Sequence, residues 1–350
     1  MKRILFGIFI SLLLFSTAYG GELGEDYYLK NSGYTEEEFQ YLYDTIVKGI
    51  KNVSINEQTS ESVPFKKGID HVIKKAFMDY DHLNYVSRIK YEYSRGNGNI
   101  KNIYFEYSYT RDDIKKRMKE AHMKAHEIID EIIREDMTDF EKIIAVHDYI
   151  INNTRYDYEG FKSGKIPHWE HTAYGPLVKK VGVCDGYSKA FMLILKKLGM
   201  ECISVKGDNH AWTMVKLEDK YYHVDLTFDD PYYEKMDMLS YDYFFIDDGE
   251  MEKDHQWNRE IYPKCDTINV NYYKNNLGMT DYAKGEDEFK ERIRVAVENR
   301  IEYIYLKVDN TNMNVDKLIE DMLRENRYNT KISYSYKVFD DSFKIRIIYR

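Results

Sequence analysis

The sequence predicts an α+β protein, and three features point there. Capping boxes at Thr35 and Thr138 each open an amphipathic helix. The first and last stretches of the chain both end in strand pairs, the first with a glycine- and asparagine-rich turn. Between them a cysteine stands at the start of a helix, ahead of two strands that carry a histidine and an aspartate.

Residues 1–20 read as an export signal. Lys2-Arg3 give a charged start, Ile4 to Phe15 are twelve mostly apolar residues, and Ser16-Thr17-Ala18-Tyr19-Gly20 supply small residues for cleavage. Twelve residues fall short of the roughly twenty needed to cross about 30 Å of hydrocarbon. With no second apolar run, the expectation is a secreted or cell-surface protein that has no membrane span after signal removal; an uncleaved anchor is the rival reading. Losing Lys2 and Arg3 would take the formal charge from −9 to −11. Charges of both signs are interspersed without a basic stripe, which argues against nucleic acid as a partner. The 34 tyrosines are spread along the chain, as half-buried strand residues are, and do not form a stacking platform.

Residues 21–110 make a first α+β module. The Thr35 box leads a helix through Phe39, Leu42, Ile46 and Ile50; Val53-Ser54-Ile55 looks extended; Phe65 to Phe77 is again helical. Strands Val86 to Tyr93 and Ile103 to Tyr109 flank the turn Arg95-Gly96-Asn97-Gly98-Asn99. Residues 269–350 repeat the order: a helix with Phe289, Ile293 and Val297, a strand from Tyr303 to Val308, and a helix from about Val315. Strands Lys331 to Val338 and Phe343 to Tyr349 follow, joined by Asp340-Asp341. Residue identity between the two ends is poor, so the likeness is one of pattern.

The middle, residues 111–268, opens with a long helix whose apolar face is Ile114, Met118, Ala121, Ala125, Ile128 and Ile132. The Thr138 box begins another, through Ile143, Val146, His147 and Ile150, and a polar loop then runs from Asn152 to Glu170. Tyr187, Phe191, Ile194, Leu195 and Leu198 have helical spacing, with Gly199 as C-cap, which places Cys184 in the first turn. Unpaired N–H groups and the dipole at a helix N-terminus favour an anion, and a thiolate is one. The same N–H groups suit the oxyanion of a tetrahedral intermediate. Gly182 and Gly186 are expected to leave room for a substrate backbone. His210 comes 26 residues after Cys184, and Asp225 another 15 on. Pairing Leu217 with Lys220 sets His210 opposite Thr227 and Asp225 two residues off register on the same face, within diagonal reach. Cys184, His210 and Asp225 thus form a candidate nucleophilic triad.

Only three cysteines occur, at 184, 202 and 265, too few for a disulfide scaffold. Cys184 is the natural unpaired thiol, Cys202 a small buried residue, and a Cys202–Cys265 bridge is left open. No cofactor is indicated. His168 with His171, and His122 with His126, lack further metal ligands in register and read as surface histidines.

Three separated blocks resemble the bacterial transglutaminase-like superfamily: Thr172-Ala173-Tyr174-Gly175 through Gly182-Val183-Cys184-Asp185-Gly186-Tyr187; Asn209-His210-Ala211-Trp212; and His223-Val224-Asp225-Leu226-Thr227-Phe228-Asp229-Asp230-Pro231. Phe140 to Tyr156 matches the helix before that core, and Tyr243-Phe244-Phe245 with Asp254-His255-Gln256-Trp257 its closing segment. The resemblance implies a papain-like fold, with the cysteine helix packed on an antiparallel sheet, between the two small modules. It implies Cys184 as nucleophile, His210 as general base and acid, and Asp225 as the orienting carboxylate. Asp185 departs from the pattern and is expected to oppose thiolate formation by like-charge repulsion. The motif does not fix the second oxyanion donor, for which Tyr174 and Trp212 are the candidates. The expected activity is cysteine acyl transfer on protein or peptide substrates, to an amine or to water. A secreted cysteine protease, or a surface binding protein with an idle triad, are the alternatives.

Overall fold

Thr35 and Thr138 open their helices as the capping boxes predict. Thr35 Oγ1 accepts from the Glu38 N–H at 3.2 Å while the Glu38 carboxylate accepts from the Thr35 N–H at 2.9 Å. Thr138 and Glu141 reciprocate in the same way. The computed structural model describes residues 26–83, 85–230, 241–266, 282–301, 303–308, 312–326, 328, 332–338 and 342–349. The expected export signal at 1–20 and the turn at Asp340-Asp341 lie outside the described residues. The chain divides into two units, one of residues up to 232 with 242–267, the other of 233–241 with 268–350.

In the first unit, α1 (Asp26–Ser32), which the sequence did not announce, precedes α2 (Glu36–Asn52). Helix α2 stops at Val53, which turns left-handed (φ 51°) and donates back to Gly49 and Ile50 carbonyls. That cap occupies the start of the extended stretch expected at 53–55, so β1 runs later, at Asn56–Gln58. Then come α3 (Ile69–Tyr80), a 3₁₀ turn at Asp81–Leu83, β2 (Val86–Tyr93) and β3 (Ile100–Tyr107), in an antiparallel sheet of order β1-β3-β2. Gly49 is needed where α2 crosses β3: a Cβ there would lie 2.1 Å from the Phe105 ring.

The chain continues through α4 (Arg111–Ile132), α5 (Asp139–Asn153), β4 (Arg155–Tyr156), α6 (Tyr158–Ser163) and β5 (Val181–Gly182) to α7 (Cys184–Lys197). A four-stranded antiparallel sheet follows in sequence order: β6 (Cys202–Gly207), β7 (His210–Leu217), β8 (Lys220–Val224) and β9 (Phe244–Ile246). The β7–β8 hairpin is closed by Glu218 and Asp219, both with positive φ as a tight two-residue turn requires. Short helices α8 (Leu226–Asp229) and α9 (Asp248–Met251) adjoin the sheet. Helix α7 packs along β6 and β7, with Ser188 Oγ donating to the Ala211 carbonyl at 3.1 Å.

One apolar core runs across residue 110. Leu42, Ile46, Ile50, Val72 and Ile73 from α2 and α3 cluster with Ile103 and Phe105 and with Ile203, Val205, Trp212, Met214 and Ile246 of the four-stranded sheet. Period-two alternation puts those sheet residues on a common face, and the register pairs Ile203 with Met214 and Val205 with Trp212.

The second unit contains β10 (Tyr282–Ala283), α10 (Gly285–Glu298), β11 (Tyr303–Val308), α11 (Val315–Glu325), β12 (Ile332–Val338) and β13 (Ser342–Tyr349). The sheet order is β10-β11-β13-β12, with β10 parallel to β11 and the rest antiparallel. Phe289, Ile293, Leu306, Ile319, Phe343 and Ile345 belong to its own core.

Candidate active site

The site is assembled from the N-terminus of α7, the start of β7 and the end of β8. Cys184 is the first residue of α7, behind an extended Val183 that offers no side-chain cap. The first N–H groups of the helix therefore point out unpaired by any capping side chain. All three cysteines are free and buried, so Cys202 and Cys265 form no bridge.

The hairpin turn pairs Leu217 with Lys220, as the strand arithmetic requires. The ladder ends earlier than expected, however, at Thr213 opposite Val224. Asp225 leaves the sheet and becomes the N-cap of α8: its Oδ1 accepts from the N–H groups of Thr227 (2.9 Å) and Phe228 (3.2 Å) and from Thr227 Oγ1 (2.7 Å). Its other oxygen, Oδ2, accepts from His210 Nε2 at 2.5 Å. Asp225 is almost wholly buried, so its position is set by these bonds and not by strand pairing. Helix α8 is itself anchored, since His147 Nε2 on α5 meets Asp229 Oδ2 at 3.1 Å.

With Nε2 engaged by the carboxylate, Nδ1 is the imidazole nitrogen left to serve the thiol, and the Cys184 side chain is near enough to help raise the His210 pKa. Burial works against a charge on His210. The Asp225 carboxylate and the Cys184 sulfur outweigh it and raise its pKa to about 10. Asp225 shows the reciprocal effect: burial pushes its pKa up, but His210, His255 and Thr227 together bring it well below the usual carboxylate range.

Four features were not anticipated. His255 is a second imidazole on the same carboxylate, with Nε2 3.1 Å from Asp225 Oδ2 and Nδ1 2.6 Å from Asp254; only its place in a resembling segment hinted at it. Trp212 is no oxyanion donor, because its Nε1–H is spent on His223 Nδ1 at 2.9 Å. The other candidate, Tyr174, packs edge-on against Trp169. Gly182 and Gly186 make room for protein and not for substrate: a Cβ at Gly186 would lie 2.1 Å from the Glu170 carbonyl oxygen, and one at Gly182 2.9 Å from Pro176. Finally, the Asp185 charge is compensated. It pairs with Lys206 and with His171 Nδ1 (3.2 Å), and Lys206 also reaches Asp81 Oδ2 (2.8 Å), which Lys189 approaches on Oδ1 at 3.4 Å. The repulsion expected at Cys184 is thereby offset by the half-buried Lys206 ammonium.

Two groups among the described residues bring ligand-type atoms within 4.8 Å of one another: His210 with Asp225 and His255, and His223 with Asp248 and Cys265. Hydrogen bonding accounts for both. Asp225 Oδ2 already accepts from two imidazoles, and the Trp212 donation leaves His223 Nε2 as the proton carrier toward Asp248 Oδ1, 2.9 Å away. Of the other histidines, His171 faces Asp185 and His126 Nε2 lies 2.9 Å from Lys197 Nζ.

A groove of about 680 Å³ leads to the site, lined by Tyr156, Phe161, His210, Trp212, Phe228 and His255 among others. Tyr158, Phe161 and Phe228 keep substantial exposed area beside it.

Residues 126–226, which hold Cys184, His210 and Asp225, match the family model for the transglutaminase-like superfamily. Over that stretch the chain is similar to transglutaminase-like domains. The mouse (Mus musculus) Kyphoscoliosis peptidase is 25% identical over 118 residues, 29% of this chain and 18% of that protein. The chain thus corresponds to under a fifth of that relative's length. Among solved structures, a TGase covers 51% of this chain and 52% of its own at 12% identity and TM-score 0.30. A Cytophaga hutchinsonii protein assigned as a cysteine protease covers 40% and 61% at 12% identity and TM-score 0.26. At such scores the two likenesses carry no argument of their own.

Proposed function

We propose that the chain is an exported cysteine-dependent acyl-transfer enzyme with a papain-like catalytic core, in which Cys184 is the nucleophile, His210 the general base and acid, and Asp225 the orienting carboxylate. The observation that carries this reading is the 2.5 Å contact of His210 Nε2 with Asp225, with Cys184 near enough to raise the imidazole's pKa. The raised pKa of His210 supports an imidazolium beside the sulfur, able to attract a thiolate as it forms. Export rests on the signal-like residues 1–20.

The thiolate adds to the carbonyl carbon of a glutamine side chain or a peptide bond, and the carbonyl electron pair moves onto oxygen. Collapse breaks the C–N bond, and His210 gives its Nδ1 proton to the departing ammonia or amine. A thioester on Cys184 remains. An incoming amine or water adds to it, passing its proton to His210, and thiolate is regenerated as the thioester breaks. An amine acceptor gives a cross-link, and water gives hydrolysis. Incubation with a glutamine peptide and a labelled primary amine distinguishes the two: a labelled conjugate marks transfer, cleaved or deamidated peptide marks hydrolysis. Neither product from the native protein, with Cys184→Ala indistinguishable from it, would remove the enzymatic reading.

The charge pair also fixes a pH dependence. The folded pKa of His210 lies above its ordinary 6.5, so its stabilisation is complete below that value and fades as pH rises through about 10. The folded pKa of Asp225 lies below its ordinary 3.8, so its stabilisation is present above that value and fades in acid as the carboxylate protonates. Both are complete between about 4 and 6.5. Alkylation of Cys184 by iodoacetamide is expected to lose its histidine-dependent rate only as pH nears 10, and Asp225→Asn should move that limb down toward 6.5. A limb unmoved by the substitution would break the assignment of Asp225.

A further inference from the structure

Tyr156 is held against the nucleophile by an element of its own. Strand β4 pairs in parallel with β5, setting Tyr156 opposite Gly182, and the Asp157 N–H donates to the Gly182 carbonyl at 3.0 Å. The Tyr156 backbone is thus tied to the chain two residues before Cys184. Its ring is lodged between Phe161 and Tyr187, with centroids 6.3 and 6.2 Å away. Its hydroxyl lies near the backbone N–H of Cys184, which draws its pKa down against the larger effect of burial. That N–H is the first of α7, which has no acceptor within its own helix and no capping side chain. Tyr156 also lines the groove with His210.

An oxyanion formed on a carbonyl attacked by Cys184 is placed naturally at the Cys184 N–H. The phenol oxygen already stands there, and it carries a proton. Burial holds that proton on, and the nearby Cys184 and Asp225 side chains act in the same direction. When no substrate is present, the Tyr156 oxygen faces the Cys184 N–H. Once a carbonyl oxygen takes that N–H, the hydroxyl can rotate and donate to it instead.

We propose that Tyr156 is a catalytic residue whose hydroxyl gives the second hydrogen bond to the oxyanion formed when Cys184 adds to a carbonyl. This rests on the acyl-transfer reading above. In the step, the Sγ–C bond forms and the carbonyl pair moves to oxygen, which accepts from the Cys184 N–H and the Tyr156 O–H. Tyr156 keeps its proton throughout. Collapse returns the pair to carbon and expels the leaving group, and the phenol goes back to facing the Cys184 N–H.

Two probes on the purified full chain test it. Iodoacetamide alkylates Cys184 by displacement at a saturated carbon and forms no oxyanion, whereas p-nitrophenyl acetate acylates it through one. In Tyr156→Phe, which keeps the ring packing, acylation is expected to fall on the order of a hundredfold while alkylation stays within about twofold. Unchanged or faster acylation would overturn the proposal, the latter marking the hydroxyl as an obstruction. An equal fall in both rates would also overturn it, since the hydroxyl would then set the thiol and not the oxyanion. Failure of the parent reading looks different: native Cys184 would be alkylated no faster than in the urea-unfolded chain, and the role given to Tyr156 would fall with it.

Discussion

Two stretches of the chain share one plan and use it differently. In α2-β1-α3-β2-β3 the last strand lies between the other two, in the order β1-β3-β2, all antiparallel. In α10-β11-α11-β12-β13 the last strand again lies between the others, in the order β11-β13-β12, with only the short β10 added at the edge. The second closes on itself: its clustered core residues all come from 283 to 347. The first does not close, because its core continues into Ile203, Val205, Trp212, Met214 and Ile246 of the sheet that bears His210. It also contributes a buried charge, Asp81, directly after α3, which Lys189 and Lys206 neutralise. Strand order alone therefore does not decide whether such a unit is autonomous. What decides is where its apolar and charged faces find their partners.

The severest way to break this contrast is deletion. Removing residues 26–110 would expose the apolar face of the β6–β9 sheet, and the remaining chain is expected to lose its cooperative thermal transition. A chain ended at residue 267 should keep one. A shortened chain starting at 111 that still melted cooperatively, followed by near-ultraviolet circular dichroism, would show that the shared core is dispensable. Next in size is Asp81→Ala, which leaves the buried lysine ammonium of Lys189 without its partner. The expected loss is about 3 kcal/mol in urea unfolding of the first unit, with the second unit's transition unmoved. A loss under about 1 kcal/mol, the scale of a surface ion pair, would show the network to be solvated. The smallest is a matched pair, Ile46→Val and Ile293→Val, both fully buried. Each should cost about 1 kcal/mol, but only Ile46→Val should also shift the unfolding of the unit that contains Cys184. If both substitutions moved the same transition, the two cores would not be energetically separate.

Much of this was legible in the sequence because it is local. Capping boxes at Thr35 and Thr138 act within four residues, α7 follows from helical spacing, and the Glu218–Asp219 turn fixes the β7–β8 register by itself. The rest depends on partners distant in the chain. The strand was expected to run on to Thr227, but Asp225 had a competing use as the α8 cap. Spacing showed that Asp185 adjoins Cys184 and could not show Asp81, more than a hundred residues earlier, helping to hold the lysine that neutralises it. Gly182 and Gly186 were read as openings because sequence does not reveal Glu170 and Pro176 pressed against them. His255 and Tyr156 stood in resembling segments but were not singled out as site residues, because sequence does not reveal which side chains of those segments come near Cys184. The catalytic roles of Cys184, His210 and Asp225 rest on the experiments above.

The shared core also has a consequence in time. Its buried residues begin at Tyr28 and include Tyr262 and Cys265. A chain emerging from the ribosome carries the Cys184 thiol well before it carries those last residues. The surface on which β7 and β9 settle is complete only when residues near 265 have arrived. His210 and Asp225 therefore come to rest against Cys184 late, after synthesis of the first unit is nearly done. On the proposed reading, the thiol therefore acquires its catalytic partners only at that stage.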